Sequence, residues 1–412
     1  MKSGKLGYIM SRFPHLPETF ILREMIEMER LGWEIALYPL ILQEQAVVHP
    51  AARPFLARAH KLPFLSASLI TANIRTFFNH PLRYLSLGAQ VIRENRTSFK
   101  FLVRALVVFP RSVQIAKLMQ QEGVQHIHAH YATHPALAAW IIHNLTNIPY
   151  SITVHAHDIF TEKAMLAIKL KGAVFIVAIS EFNRNYLASQ IGEWVRQKTE
   201  VIHCGVLPEN YLSHSDSTPD GIFEILNIGS LQPYKGQKYL IEACARLHQN
   251  GIPVRCCIVG SGELLSELGT QISALGLEDI VKLTGPRTQE EIAQLLPKAN
   301  CYVQPSIITS TGKMEGIPVS IMEAMACAVP VVATSISGVP ELVQNQKTGL
   351  LVPPKDINAL TNAIASIYND PQNAKRMAQT GKELVLQQFN LHHNVQQLSL
   401  LMKSSTLAYP NS

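Results

Sequence analysis

What most constrains the fold is an alternation in the second half of the chain. Continuous apolar runs (FEILNIGS, PVRCCIVGSG, DIVKLTG, NCYVQPS, VPVVAT, TGLLV) are separated by amphipathic stretches such as GQKYLIEACARLHQNG, TQEEIAQLLPKA and INALTNAIASIY. An apolar run without polar alternation reads as a strand buried on both faces, and strands interleaved with helices make a parallel sheet covered on both sides. The first half opens in the same way. KLGYIM is a strand, PETFILREMIEMERLG a helix with Ile21, Met25 and Met28 at helical spacing and Gly32 as its stop, and WEIALYPL a second strand. The loop SRFPHLPETF lies at the carboxyl end of the first strand, where open parallel sheets place their ligands. A length of 412 residues suits two such sheets, and the polar stretch SHSDSTPDG, 213–221, is the best joint between them. The expected architecture is α/β, with Rossmann-like parallel-sheet domains over 1–212 and 222–390 facing across a cleft. A tail, 391–412, is expected to pack back on the first domain.

Within this frame the stretch GKMEGIPVSIMEAMACAVPVVATSISG, 312–338, is arranged to meet an anion. Pro318 suits the first position of a helix, because its missing N–H would be unpaired there anyway. The helix mouth turns unpaired N–H groups outward. Glu315 then stands just outside the mouth and Glu323 about one and a half turns inside. A phosphate at the mouth would have Glu315 beside its outer end, and Glu323 would accept from hydroxyls along the helix flank. A diphosphate joined to two sugars, one of them a ribose, has that shape. The other reading is a surface helix with two solvated carboxylates.

The net charge of +6 conceals an asymmetry. Residues 50–118 hold eleven Lys or Arg against one acid, Glu94, so that segment carries +10 and the remainder −4. A local excess of that size implies a polyanionic partner, either a membrane surface or nucleic acid. On a helical wheel Arg93, Arg96, Lys100, Arg104 and Arg111 fall in one stripe, edged by Phe99, Leu102, Val103, Leu106 and Val107, although Pro110 should break the helix before Arg111. A basic rim around an apolar face suits an anionic lipid headgroup layer. The other reading is a domain helix with a solvated basic face. Nucleic acid fits poorly, because aromatic residues do not interleave with the charges.

No apolar run reaches membrane-spanning length and the start, MKSGKLGYIM, lacks a secretory signal, so a cytoplasmic location is expected. Cys204, Cys244, Cys256, Cys257, Cys301 and Cys327 show no paired spacing and several sit in apolar runs, which suits reduced thiols. His126, His128 and His130 alternate and share one strand face. A metal site there is conceivable, but no carboxylate or cysteine accompanies them in the sequence. His155, His157 and Asp158 end another strand and can aim at a cleft.

The motifs IGSLQPYKG, VGSGE, QPS, EGIPVSIMEAMACAVPVVATSISGVPELV and TGLLVPP, in this order and spacing, resemble the family 4 retaining glycosyltransferases of the GT-B fold. SRFPHLPETFI, HIHAHYATHPA and TVHAHD resemble the subgroup that builds bacterial exopolysaccharides of the colanic-acid type. The resemblance implies a hexose transferred from a nucleotide-diphosphate sugar to a lipid-linked oligosaccharide or polysaccharide precursor. It assigns the ribose hydroxyls to Glu323, and the donor sugar and phosphate to Glu315 with the N–H groups of Gly316 and Ile317. Lys235 would neutralise the diphosphate as the glycosidic bond breaks, and His155 would contact the donor sugar near its reacting carbon. Gly229, Ser230, Gly260 and Gly262 would lie against the nucleotide, and Pro17, Glu18, Thr19 and Asp158 on the acceptor side. The family often places an Arg where this chain has Ser230, so Lys235 acts with less help or Lys313 or Lys238 substitutes. No Asp-x-Asp pair occurs, and such a pair would be the natural ligand of a metal bridging a diphosphate. The expectation is therefore no metal, no cofactor and no nucleic acid, with peripheral attachment at the inner face of a membrane. Two further classes remain open: a nucleotide-sugar epimerase of similar two-domain build, and a non-catalytic nucleotide-sugar or glycan-binding protein.

Overall fold

The computed structural model describes residues 4–14, 19–43, 49–96, 98–161, 163–211 and 221–408. Pro17, Glu18 and nearly all of the 213–221 stretch lie outside them. The chain divides into two compact units, one of residues 1–179, 183–202 and 392–412 and the other of 180–182 and 203–391.

In the first unit, β1 (Gly4–Phe13), β2 (Trp33–Leu42), β3 (His126–His130), β4 (Tyr150–Val154), β5 (Ile176–Ala178) and β6 (Thr199–Val201) form one parallel sheet in the order β2-β1-β3-β4-β5-β6. The strand order reverses between β1 and β3, and the crevice at such a reversal is where these sheets hold ligands. The helix Leu391–Ala408 belongs to this unit through its length from His392 on. Trp33 donates its indole N–H to Ser399 at 2.8 Å, and the Ser405 hydroxyl meets His126 Nδ1 at 2.9 Å.

The second unit carries β7 (Phe223–Ile228), β8 (Val254–Val259), β9 (Val281–Leu283), β10 (Cys301–Gln304), β11 (Val331–Thr334) and β12 (Leu350–Val352), all parallel, in the order β12-β11-β10-β7-β8-β9. Its strands feed two cores by simple alternation. Phe223, Ile225, Cys256, Ile258, Cys301 and Val303 enter one, and Leu226, Ile228, Cys257, Val259 and Tyr302 the other. This is the doubly covered sheet that the apolar runs predict. The six cysteines form no disulfide.

The basic segment departs from expectation in two ways. It is not one stripe. The helices Pro81–Asn95 and Phe99–Gln121 are separate, with Arg96 the C-cap of the first and Ser98 the N-cap of the second. Nor does Pro110 break the second helix, which runs through it for 23 residues. Proline removes one N–H there, but the helix packs against Ala67–Asn79, Pro81–Asn95 and His134–Thr146, and that burial outweighs the lost bond. Arg111 is consequently buried. It donates to the carbonyl of Leu62 at 2.8 Å and stacks on Phe64, so it is a packing residue and not a membrane contact. Arg93, Arg96, Lys100 and Arg104 are exposed. Beside them the same helices leave large apolar side chains in solvent: Ile70, Ile74 and Phe78 along Ala67–Asn79, Leu82 and Leu85 on the next, and Phe99, Val103, Leu106 and Val107 on the third. Phe78, Leu82 and Phe99 are 75%, 84% and 81% exposed, far more than an ordinary surface helix leaves. Among the described residues no helix is long and apolar enough to cross a membrane.

Candidate active site

In the second unit the strand order reverses between β7 and β10, and both glutamates and the lysine gather at the carboxyl ends of these strands. After β7 the chain passes Gly229 and Ser230, makes a tight turn over Pro233–Lys235, and enters the helix Gln237–Gln249 through Gly236 at φ 70°. The Lys235 stem lies across Gly229. A Cβ added at Gly229 would stand 3.3 Å from its Cδ and Cε, so the absence of a side chain there lets the lysine reach forward. Gly260 and Gly262 serve the packing around this turn. A Cβ on Gly260 would fall 1.9 Å from the Gly229 carbonyl oxygen, and one on Gly262 would fall 2.3 Å from that of Leu231. They let the loops after β7 and β8 pack backbone to backbone, which fixes the lysine turn.

Lys235 and Glu315 form an ion pair, and both are largely buried. Burial alone would lower the Lys235 pKa, but the attraction of Glu315, helped by Tyr234, outweighs it and the pKa is raised. The ammonium is therefore a fixed charge across the accessible pH range. Glu315 Oε2 is buried and accepts no hydrogen bond among the described residues. Beyond it, Pro318 is the N-cap of the helix Val319–Ala326 rather than its first residue, a shift of one position. The N–H groups of Gly316 and Ile317 pair with no backbone carbonyl among the described residues. The mouth is held against the sheet by Tyr302 of β10, whose hydroxyl donates to Ser320 at 2.7 Å. Lys313 stands 4.6 Å over the ring of Tyr234, the ring that Lys235 also approaches, whereas Lys238 lies over Tyr239. Of the two candidates to replace the missing arginine at Ser230, Lys313 is the one on the lysine's own side. Glu323 is buried, and its Oε1 accepts from the Tyr211 hydroxyl at 2.7 Å and from Gln289 Nε2 at 3.0 Å. Sequence reasoning missed both donors, Tyr211 from a loop and Gln289 from the start of the helix Gln289–Leu295, since both are distant in sequence from Glu323.

In the first unit His155 follows β4 and is buried. Its N–H donates to Asp158 Oδ1 at 3.1 Å, its carbonyl accepts from Asn183, and its ring sits among Phe20, Tyr131 and His130. Asp158 is fully buried and also accepts the N–H of Ala132 at 2.8 Å. That corrects its assignment to the acceptor side: this carboxylate holds the backbone beneath His155. Thr19 is half-buried at the start of the helix Thr19–Arg30.

The alternating histidines do share a face, and a carboxylate does accompany them. Glu24, on that same helix, brings Oε1 within 3.1 Å of His130 Nε2 and 3.8 Å of His128 Nε2. His126 Nε2 and His128 Nδ1 each meet the Ser151 hydroxyl at 2.7 Å. Burial, and then the neighbouring imidazoles, push the His128 pKa well down, and burial takes that of His126 to about 3. Glu24, His128 and His130 could be read as three metal ligands. However, His128 Nε2 is 3.0 Å from Thr153 Oγ1, closer than to Glu24, so its in-plane direction is already used. The cluster is a hydrogen-bond network.

Residues 43–210 match Glycosyltransferase Family 4, and 214–384 match the glycosyl transferases group 1. The chain belongs to the family 4 glycosyltransferases. It is 35% identical over 209 residues to the putative colanic acid biosynthesis glycosyltransferase WcaL of Salmonella typhimurium, covering 50% of this chain and 52% of that one. It is 34% identical over 207 residues to the amylovoran biosynthesis glycosyltransferase AmsK of Erwinia amylovora, covering 50% and 51%. The chain thus spans about half the length of these curated relatives. Among solved structures, HepE of Anabaena in complex with UDP superposes with a TM-score of 0.72 at 20% identity over 98% of this chain and all of that one. A sucrose-phosphate synthase from Thermosynechococcus elongatus gives 0.74 at 19%, over 98% and 100%. Those likenesses establish the GT-B fold for this glycosyltransferase.

Proposed function

We propose that this glycosyltransferase moves a hexose, with retention and without a divalent cation, from a nucleotide-diphosphate sugar to a lipid-linked saccharide precursor. The observation that carries the reading is the buried Lys235–Glu315 pair beside a helix mouth whose preceding N–H groups have no backbone partner among the described residues. A fixed cation and oriented N–H groups stabilise charge where it develops. In the reaction the bond between the anomeric carbon and the diphosphate oxygen breaks, and its electron pair leaves with the diphosphate beside Lys235. The acceptor oxygen bonds to the same face and its proton passes to the departing diphosphate. His155 is the residue that the family resemblance assigns to the donor sugar. The names of the relatives, both concerned with exopolysaccharide synthesis, support a saccharide acceptor. Incubation with a panel of nucleotide-sugars should release nucleoside diphosphate far faster when a lipid-linked saccharide is supplied. Release independent of any acceptor, or isomerised sugar still joined to its nucleotide, would refute the transfer.

The exposed apolar side chains of the helices Ala67–Asn79, Pro81–Asn95 and Phe99–Gln121, set beside Arg93, Arg96, Lys100 and Arg104, support peripheral attachment to an anionic membrane surface at its inner face. A lipid-linked acceptor gives that attachment its purpose. Cations near an anionic surface contribute about 1 kcal/mol each. Reversing Arg93, Lys100 and Arg104 to Glu is therefore expected to weaken co-sedimentation with anionic vesicles by at least about 10²-fold. Thermal stability should stay unchanged, since all three are exposed. Co-sedimentation that ignores both the reversals and the anionic lipid fraction would remove the membrane from the account.

A further inference from the structure

Lys235 and Glu315 carry opposite charges, so the pair as a whole is neutral. A diphosphate entering beside it brings negative charge that the pair does not offset. Ser230 adds none of the positive charge that an arginine would bring. A second cation comes from the loop that follows β10. Lys313 lies two residues before Glu315, is half-buried, and forms no ion pair among the described residues. Its ammonium stands 4.6 Å over the ring of Tyr234, and that of Lys235 lies 5.8 Å from the same ring centre. An aromatic face attracts a cation without cancelling its charge, so Lys313 keeps its full positive charge for an anion at this site.

The placement is built by two loops locked to each other. The N–H of Lys313 donates to Thr309 Oγ1 at 3.0 Å, and its carbonyl accepts the N–H of Thr309 at 3.0 Å. Gly312, at φ 79°, closes that turn. The Tyr234 carbonyl accepts the N–H of Ile307 at 2.8 Å, and a Cβ on Gly236 would fall 2.0 Å from the carbonyl oxygen of Pro305. The loop after β10 therefore rests directly on the turn that carries Lys235, and the two ammonium groups border one ring.

We propose that Lys313 is a specificity-determining residue: it takes the second phosphate of the donor, beyond the one met by Lys235 and the helix mouth, and so makes the site select nucleoside diphosphates over monophosphates. The inference rests on the reading of the Lys235–Glu315 pair as the diphosphate site. A monophosphate is held by Lys235 and the mouth alone and gains nothing from Lys313.

Calorimetric titration of the full chain, at low ionic strength, compares a nucleoside diphosphate with the monophosphate of the same base. A lost hydrogen bond to a charged group should weaken the diphosphate by about 10–100-fold in Lys313→Met and leave the monophosphate unchanged. Lys313→Arg keeps a cation over the ring and should keep the preference. Added NaCl should weaken diphosphate binding more steeply in the wild type than in Lys313→Met. Unchanged diphosphate affinity in Lys313→Met, or an equal loss for both nucleotides, would overturn the role of Lys313 and leave the Lys235–Glu315 site standing. A wild type that binds neither nucleotide would remove the donor reading itself, and the role of Lys313 with it. Should Lys313→Met not fold, Lys313→Gln makes the same comparison.

Discussion

Lys235→Met is expected to lower turnover by about 10²–10³-fold, the usual loss when one preorganised charge is taken from a developing anion. The variant also strands Glu315, a carboxylate only 6% exposed, and removing one partner of a buried pair destabilises by about 3–5 kcal/mol. A loss of activity in that variant alone is therefore ambiguous between chemistry and folding. Adding Glu315→Gln resolves it, because the stranded charge disappears. The double variant should regain most of the urea stability of the wild type and none of its turnover. Recovery of turnover in the double variant would mean that the pair serves the fold and not the diphosphate.

The second large effect is on stability in acid. Burial holds the His126 pKa at about 3 and that of His134 at about 4, and pushes His128 well down, all from an ordinary value near 6.5. Groups whose folded pKa is depressed below the unfolded value bind protons in the unfolded chain first. As pH falls through 6.5 the unfolded state gains protons that the folded state refuses, so stability falls, and it stops falling below the folded pKa values. From pH 6.5 to 5 each such group removes about 2 kcal/mol. Trp33, Trp140 and Trp194 all lie in the first unit, so tryptophan fluorescence during a urea titration reports on that unit alone. Its midpoint should drop clearly between pH 7 and pH 5. A midpoint that holds steady would mean these imidazoles are not buried as neutral groups.

What the sequence discloses follows from how far apart the interacting residues lie. The two cores of the second unit are legible because a strand buried on both faces is written in consecutive letters, as in VRCCIV and CYVQ. Glu315 and Glu323 are legible because loop and helix fix their relative positions within one local segment. Tyr211 and Gln289 reach Glu323 from 112 and 34 residues away, and no local spacing marks them. Glu24 is hidden from the histidines for the same reason: 106 residues separate it from His130, and the parallel register of β1 with β3 brings them together. Arg111 shows a subtler limit. A helical wheel groups it with Arg104, but only the neighbouring helices decide which side of the cylinder they cover. Pro110 shows the same thing for propensity, where packing on several sides sustains a helix that the local sequence argues against.

In the proposed mechanism a sugar diphosphate is gripped by Lys235 and by backbone dipoles, with no divalent cation taking part. Calorimetric titration of a panel of nucleoside diphosphates in the presence of EDTA tests it most directly. At least one diphosphate should bind the wild type at one site per chain, with an affinity that added Mg²⁺ leaves unchanged and that Lys235→Met with Glu315→Gln abolishes. Binding that vanishes in EDTA and returns only with Mg²⁺ would contradict the claim.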